Sequence, residues 1–429
     1  MKKHLFLYVG VIFILLTPQG FTLLANSAET DNETDIKDEI TLEDSLFYKE
    51  DVPIVYISAS SDYEYGLKEG SILYDYYSHF IRFAKRWFGK VISREKNHVL
   101  HHIETLGNYY PSFLERMKGV SDALGIDLVD FVSIDMFFLS LFLRIGACTN
   151  TAVSSKVTSD KQPYVSWNFD LPYVFKPFFS RYIRSPPVII CDIEGKYKYV
   201  KISVLPSIFS FGLLNEHGLS YVGSTVNTEE EADGLSSLEL NNLAMESCAT
   251  VDEVADLYCS SERASGLINP YTLFGVTSNL NTLWADRNGE ILLVEYNHSR
   301  IVTRKDYLFA ETNHYQFLKQ TYAEKSYGLG DFRGDSGVRL ERAYELLHEY
   351  NGSIDIDFYQ NILTCDHEGG IRKGKPDKSD ICRHAPLYGT LCVIVTLPQQ
   401  LGIYYCPGHP CRARFRYLDF SEELGNASS

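Results

Sequence analysis

A chain of 429 residues with 45% hydrophobic and 22% charged residues has an ordinary globular composition and enough apolar material for a large core in one to three domains. Its formal net charge of −16 argues against nucleic acid as a partner and against electrostatic attachment to an anionic membrane.

Met1-Lys2-Lys3, the apolar run Leu5 to Leu16 and the small residues Ala25, Ser27 and Ala28 read as a secretory signal over residues 1–28. The apolar run is short against the roughly 20 residues of a membrane span, so an uncleaved anchor is the lesser alternative. The expected location is secreted, or lumenal, lysosomal or periplasmic according to the organism. Residues 29–61 are expected to be an acidic flexible leader. Residues 62–147 carry helical periodicity, first from Asp62 through Phe80, Phe83 and Trp87, then from Pro111 to Gly125. Leu128 to Leu143 is apolar but contains Asp130 and Asp135, which suits a buried helix better than a membrane span.

The texture changes at Cys148. Strands are expected over 149–158, 163–170, 187–193, 197–204 and 301–310, with hairpins around Asn215-Glu216-His217-Gly218 and Asn288-Gly289. Thr250-Val251-Asp252-Glu253 has the spacing of a helix capping box. Helices over 336–350 and 355–364 precede C-terminal strands at 390–397, 401–405 and 413–418.

There are nine cysteines, so a secreted chain leaves at least one unpaired unless it bridges to another chain. Cys148 is the candidate free thiol. In Cys406-Pro407-Gly408-His409-Pro410-Cys411, with Cys382 and His384 nearby in sequence, the spacing departs from paired-cysteine zinc motifs; disulfides are expected there, and no metal. Asn32, Asn297, Asn351 and Asn426 lie in sequons that accept glycans only in a eukaryotic secretory pathway. Gly334-Asp335-Ser336-Gly337 has the look of a trypsin-type serine motif, but Val338 and a helical pattern follow, which places Ser336 near a helix start.

Cys148 follows a small residue in Gly146-Ala147-Cys148-Thr149, and the next strand ends in Asn168-Phe169-Asp170. A thiol of ordinary pKa, about 8.5, needs a base to become a nucleophile. If the Ala147–Cys148 bond breaks, Cys148 gains an α-amine with a pKa of about 7.7–8.0, a base on the same residue. Asp170 is within reach to hold it.

Further motifs follow in order: Tyr65-Gly66-Leu67-Lys68-Glu69-Gly70, Pro111 to Gly125, Asn215-Glu216-His217-Gly218-Leu219, Ala285 to Glu290 with Glu295, Thr312-Asn313-His314, Ser336-Gly337-Val338-Arg339, and Ile381-Cys382-Arg383-His384 with Gly408-His409-Pro410-Cys411. Together with Cys148 and Asp170 the chain resembles the acyl-CoA:isopenicillin (6-aminopenicillanic acid) acyltransferase family of N-terminal-nucleophile (Ntn) hydrolases, related to choloylglycine hydrolase and penicillin V acylase. The resemblance spans residues 62 to 418. It implies an α+β fold, a four-layer αββα sandwich over residues 148–429, preceded by a helical propeptide or small subunit over 62–147.

It also implies autocleavage between Ala147 and Cys148, with Cys148, Asp170, Asn313 and Arg339 catalytic. Asn313 and a backbone amide would steady the oxyanion, while Asp170 and Arg339 would orient the amine and substrate. The expected activity is hydrolysis or transfer of the acyl group of a non-peptide N-acyl amide through a thioester. No cofactor is expected. An acyl-CoA or amine acceptor is a candidate partner, and the two cleaved chains are expected to stay associated. A lipid-amide hydrolase and an inactive secreted binding protein on the same scaffold are the alternatives. Two departures stand out: Trp167 occupies the position of an Arg in bile-salt-hydrolase-type members, and Ser224 and Thr225 stand where relatives carry Asn or Tyr.

Overall fold

The computed structural model describes residues 46–93, 96–173, 188–203, 208, 211–228, 234–263, 277–318, 335–369 and 377–425. The expected signal over 1–28 and the start of the leader lie outside these residues. The remainder of the expected leader differs from a flexible segment. Leu46–Lys49 and Val52–Ala59 are strands β1 and β2, because Val52, Ile54, Val55 and Ile57 supply a fully buried apolar run that a polar leader would lack.

The region 62–145 is helical, as its periodicity indicates. Asp62–Ile72 starts from the cap Ser61, whose side chain accepts from the Glu64 N–H. This helix crosses Pro111–Ala123 at very short range, since a Cβ on Gly66 would sit 2.0 Å from the Arg116 carbonyl oxygen. Only glycine permits that crossing. Leu128–Ile145 then leads directly into strand β3, Ala147–Val153. No helix among the described residues is long and apolar enough to cross a membrane.

Two sheets form the body. In the larger, β1 and β2 are joined by β5 (Val188–Ile193), β6 (Tyr199–Ile202), β7 (Phe211–Asn215), β8 (Ser220–Thr228), β9 (Thr277–Ala285), β10 (Ile291–Tyr296) and β11 (Ile301–Asp306), in that spatial order. In the smaller, the order is β12 (Leu308–Glu311), β3, β4 (Tyr164–Pro172), β14 (Tyr388–Leu397), β15 (Gly402–Pro407) and β16 (Arg416–Asp419), with β13 (His384–Ala385) paired to β14. All pairings are antiparallel except β2 with β5.

The two-residue alternation of a strand divides the smaller sheet's side chains between two cores. Ala152, Val165, Trp167, Cys392 and Ile394 face the larger sheet, while Val153, Tyr164, Val393 and Val395 pack with Ala343, Leu347 and Phe358 from the C-terminal helices. Helices Ser237–Ser247 and Val251–Ser260 pack on the larger sheet. The result is the expected four-layer αββα arrangement.

Both expected hairpins form. At the first, Gly218 has φ +76° and a Cβ there would stand 2.4 Å from the Pro398 carbonyl oxygen. The Thr250–Glu253 capping box is present. One expected strand, 301–310, is two: the chain changes sheets at Tyr307, giving β11 to the larger sheet and β12 to the smaller. That switch matters, because β12 pairs with β3 through Glu311 and Asn150 and so delivers the residues after Glu311 to the level of Cys148.

Candidate active site

Cys148 lies near the start of β3, in a strand that is buried throughout. Its register partner on β4 is Phe169, and Ala147 is opposite Asp170. The thiol therefore packs into the core between the sheets with Trp167 and Phe169. Burial pushes its pKa up to about 12; Trp167 and Arg339 pull it down, and Asp170 adds to the rise. In the uncleaved chain Cys148 is a quiet thiol.

The backbone of Cys148 is held at both ends. Its N–H donates to Asn313 Oδ1 at 3.1 Å, and its carbonyl oxygen accepts from Arg339 Nη1. Arg339 also donates to Thr149 Oγ1 at 2.8 Å and, through Nη2, to Asn313 Oδ1 at 2.9 Å. The Asn313 amide is thereby oriented without ambiguity: its oxygen receives two donors, and Nδ2 donates to the Thr225 carbonyl at 3.0 Å. Thr225 Oγ1 in turn donates to the Gly146 carbonyl at 3.4 Å, just ahead of the expected cleavage bond.

Arg339 is carried by the helix Asp335–Glu349, and Asn313 sits just past β12. Ser336 is at that helix start, as expected, and bonds His314 Nδ1 at 2.7 Å. Asp170 lies two residues before the end of β4 and accepts from Thr390 Oγ1 at 2.7 Å, with Arg383 Nη1 4.0 Å from its other oxygen. Arg383 and Arg339 share Asp335. Two guanidinium groups and two carboxylates thus balance one another in a buried cluster.

The four residues expected to act together, Cys148, Asp170, Asn313 and Arg339, are brought to one place. Their detailed contacts differ from expectation in one respect. In the intact chain the acceptor for the Cys148 nitrogen is Asn313; Asp170 faces Thr390 and Arg383 and makes no hydrogen bond to Cys148 among the described residues.

Cys148 thus has its nitrogen held by a carbonyl-type acceptor, its carbonyl held by a cation and its sulfur against an apolar wall. The profile of the family described as acyl-coenzyme A:6-aminopenicillanic acid acyl-transferase matches residues 190–410, just over half of the sequence. The chain belongs to this family. It is accordingly of the acyl-transferase type.

A search of curated proteins returns no match. Among solved structures, the chain is similar to a mutant conjugated bile acid hydrolase from Clostridium perfringens at 15% identity, covering 64% of this chain and 93% of that one with a TM-score of 0.42. It is also similar to penicillin V acylase from Agrobacterium tumefaciens at 13% identity, covering 65% and 88% with a TM-score of 0.36.

Within this acyl-transferase chain, sequence reasoning missed the outer ring of the site. Thr390 and Asp335 each touch one of the four expected residues, yet nothing in their local sequence marks them for that role; Thr225, noted in the sequence beside Ser224, accepts from Asn313. Arg383 was visible only as part of Cys382-Arg383-His384. Asn168 and Asn215 brace the backbone: Asn168 Nδ2 donates to the Thr364 and Ile381 carbonyls, and Asn215 Nδ2 to those of Met245 and Cys248. Asn297 is buried with its Oδ1 accepting from the Arg300 N–H, which removes it as a glycan site.

The cysteines correct another expectation. All nine are free thiols in this structure, which shows none of the disulfides expected in the C-terminal cluster. Cys406 is buried in β15 opposite Val393, while Cys411 lies beside Cys382, His384 and His367.

Burial pushes the Asp170 carboxyl up to about 6, against the opposing pull of Arg383, Arg339 and Thr390. A carboxyl raised on folding contributes stability below its unfolded value, and that contribution is lost as pH rises through the folded value. In an uncleavable Cys148→Ala background, Asp170→Asn mimics the neutral acid. We expect its stability advantage over Asp170 to grow between pH 4 and 7 by roughly 1–3 kcal/mol and then level off. Denaturant titrations across that range check this; an advantage that shrinks with rising pH would mean that the two arginines dominate.

Proposed function

We propose that the chain is a self-activating cysteine amidase or acyltransferase that cleaves itself between Ala147 and Cys148 and then acts on a non-peptide N-acyl amide. The observation that carries this reading is the pair of contacts on the Cys148 backbone, with Asn313 at the nitrogen and Arg339 at the carbonyl. These contacts would hold residue 148 in place once the bond before it is gone.

The first step is an N-to-S shift. Cys148 Sγ attacks the Ala147 carbonyl carbon, the C–N bond breaks, and the thiol proton ends on the departing nitrogen. Water then opens the thioester, leaving a carboxylate on Ala147 and a free thiol and α-amine on Cys148. The amine donates to Asn313 Oδ1 and keeps its lone pair for the thiol proton. The thiolate next attacks the substrate carbonyl. The amine of Cys148, now protonated, returns that proton to the leaving nitrogen as the C–N bond breaks.

In this reading Asn313 serves first as the anchor of the amine. Its Nδ2 reaches an oxyanion only by releasing Thr225, so a backbone amide is the more direct donor. Arg339 orients residue 148, and Asp170 acts through its charge. The acyl-enzyme passes its acyl group to water or to an amine.

The test is a panel of N-acyl amides spanning aryl-acetyl, short-chain, fatty-acyl and ceramide types, each with and without an added amine, followed by mass spectrometry. Turnover of at least one class that disappears with Cys148→Ser supports the reading. Turnover confined to fatty-acyl or ceramide substrates would assign the lipid-amide variant. No turnover of any class, with the Ala147–Cys148 bond intact, would contradict it.

A further inference from the structure

Around the segment that carries Arg383, four side chains converge that the acyl-transfer reading leaves unused. His367 follows the helical segment that ends at Leu363, Cys382 and His384 flank Arg383, and Cys411 follows β15. One ligand atom from each lies within 4.8 Å of all the others. Cys382 Sγ and Cys411 Sγ are each 3.4 Å from His384 Nε2.

Those separations suit a metal. With Zn–S of about 2.3 Å and Zn–N of about 2.0–2.1 Å, the S···N edge of a tetrahedron is about 3.5 Å. The surroundings are also arranged for it. His367 Nδ1 faces Asp380 Oδ2 at 3.4 Å, and Asp380 is fully buried and accepts from the Asp377 N–H at 2.6 Å. A carboxylate behind one ring nitrogen directs the other nitrogen at the metal. The His384 ring is stacked on His409 with centroids 4.0 Å apart, and the backbone N–H of His384 donates to the Asp377 carbonyl at 2.8 Å, which fixes the chain at that position. Cys411 is exposed, which gives an ion a way in.

We propose that His367, Cys382, His384 and Cys411 bind one zinc ion as a structural Cys2His2 site. Two thiolates and two imidazoles select zinc over calcium or magnesium, and four protein ligands leave no open position for chemistry. Binding releases the two thiol protons, and the thiolates neutralise the ion's charge. The consequence for the active site is mechanical. Cys382 and His384 are the sequence neighbours of Arg383, whose guanidinium pairs with Asp335 and lies 4.0 Å from Asp170. A metal held by those neighbours would pin the backbone from which Arg383 reaches the buried carboxylates.

A disulfide between Cys382 and Cys411 is the competing use of the same sulfurs, but it does not account for two imidazoles converging on them. The experiment is elemental analysis of the purified full-length protein, with His367→Ala and Cys382→Ser beside a Cys406→Ser control. We expect about one zinc per chain in the wild type and the control, and less than a tenth of that in the two ligand variants. Because those variants can misfold, wild-type protein stripped with a chelator is also titrated with Co2+. A thiolate-to-cobalt charge-transfer band saturating at one equivalent supports the site. Absence of zinc with Cys382 and Cys411 joined on non-reducing digestion, absence of a cobalt band, or zinc retained in both ligand variants would overturn it.

Discussion

Replacing Cys148 with Ala is expected to leave the chain uncleaved between residues 147 and 148 and to abolish acyl transfer completely. Both consequences follow from one atom, since Sγ is the nucleophile toward Ala147 and then toward substrate. The fold should survive, because removing Sγ from a position beside Trp167 and Phe169 deletes one small group from a large core. Gel analysis of the purified variant and wild type checks this. A variant that still splits at residue 147 would remove Cys148 from the mechanism. A wild type that remains one intact polypeptide, with a thiol inert to alkylation, would favour an inactive binding protein on the same scaffold. The pKa of about 12 in the intact chain gives a related expectation: the thiol should resist alkylation before cleavage and react readily after it, when a neighbouring amine is available.

Arg339→Met is the second large effect expected. The Arg339 guanidinium is fully buried and touches the Cys148 carbonyl, Thr149 Oγ1, Asn313 Oδ1 and Asp335. Methionine fills much of the volume but leaves those acceptors short of a donor and the carboxylates short of a cation. Loss of one side of a buried ionic cluster costs about 3–5 kcal/mol. Urea denaturation in the Cys148→Ala background should show a destabilisation of that order, and the otherwise wild-type Arg339→Met chain should fail to process. Arg339→Lys separates charge from geometry. A lysine restores the charge, but its point-like ammonium is a poor substitute for the planar fork that spans the Cys148 carbonyl and Asn313 Oδ1. We therefore expect partial recovery of stability with processing still slow. Unchanged stability and a normal processing rate in Arg339→Met would show that the contacts to residue 148 are incidental.

The legibility of this protein in its sequence has a physical pattern. Helices with strong periodicity and hairpins with Asn and Gly in the turn were readable, because local chemistry decides them. The strands at 46–59 were hidden by their position after an acidic segment, although Val52, Ile54, Val55 and Ile57 carried the signal. The change of sheet at Tyr307 was invisible, since an extended run of residues does not announce which neighbours it will pair with. That change is what brings Asn313 to Cys148.

At the site, the ordered motifs singled out Cys148, Asp170, Asn313 and Arg339 as a group. They did not reveal that Asn313 holds the Cys148 nitrogen, because such a contact joins residues 165 positions apart. The grouping of His367 with Cys382, His384 and Cys411 was missed for a similar reason. Attention to the spacing of Cys406 and Cys411 favoured disulfides, whereas the repeated Cys-x-His pattern in Cys365-Asp366-His367 and Cys382-Arg383-His384 was the signal that would have found it.

The most direct test of the central claim is intact-mass spectrometry of wild-type protein, acid-quenched during turnover of an N-acyl substrate and followed by fragmentation. The account expects a polypeptide whose first residue is Cys148, carrying the substrate's acyl group on Sγ with the α-amine free. An acyl group on any other residue, or turnover by a chain still joined through Ala147, would contradict it.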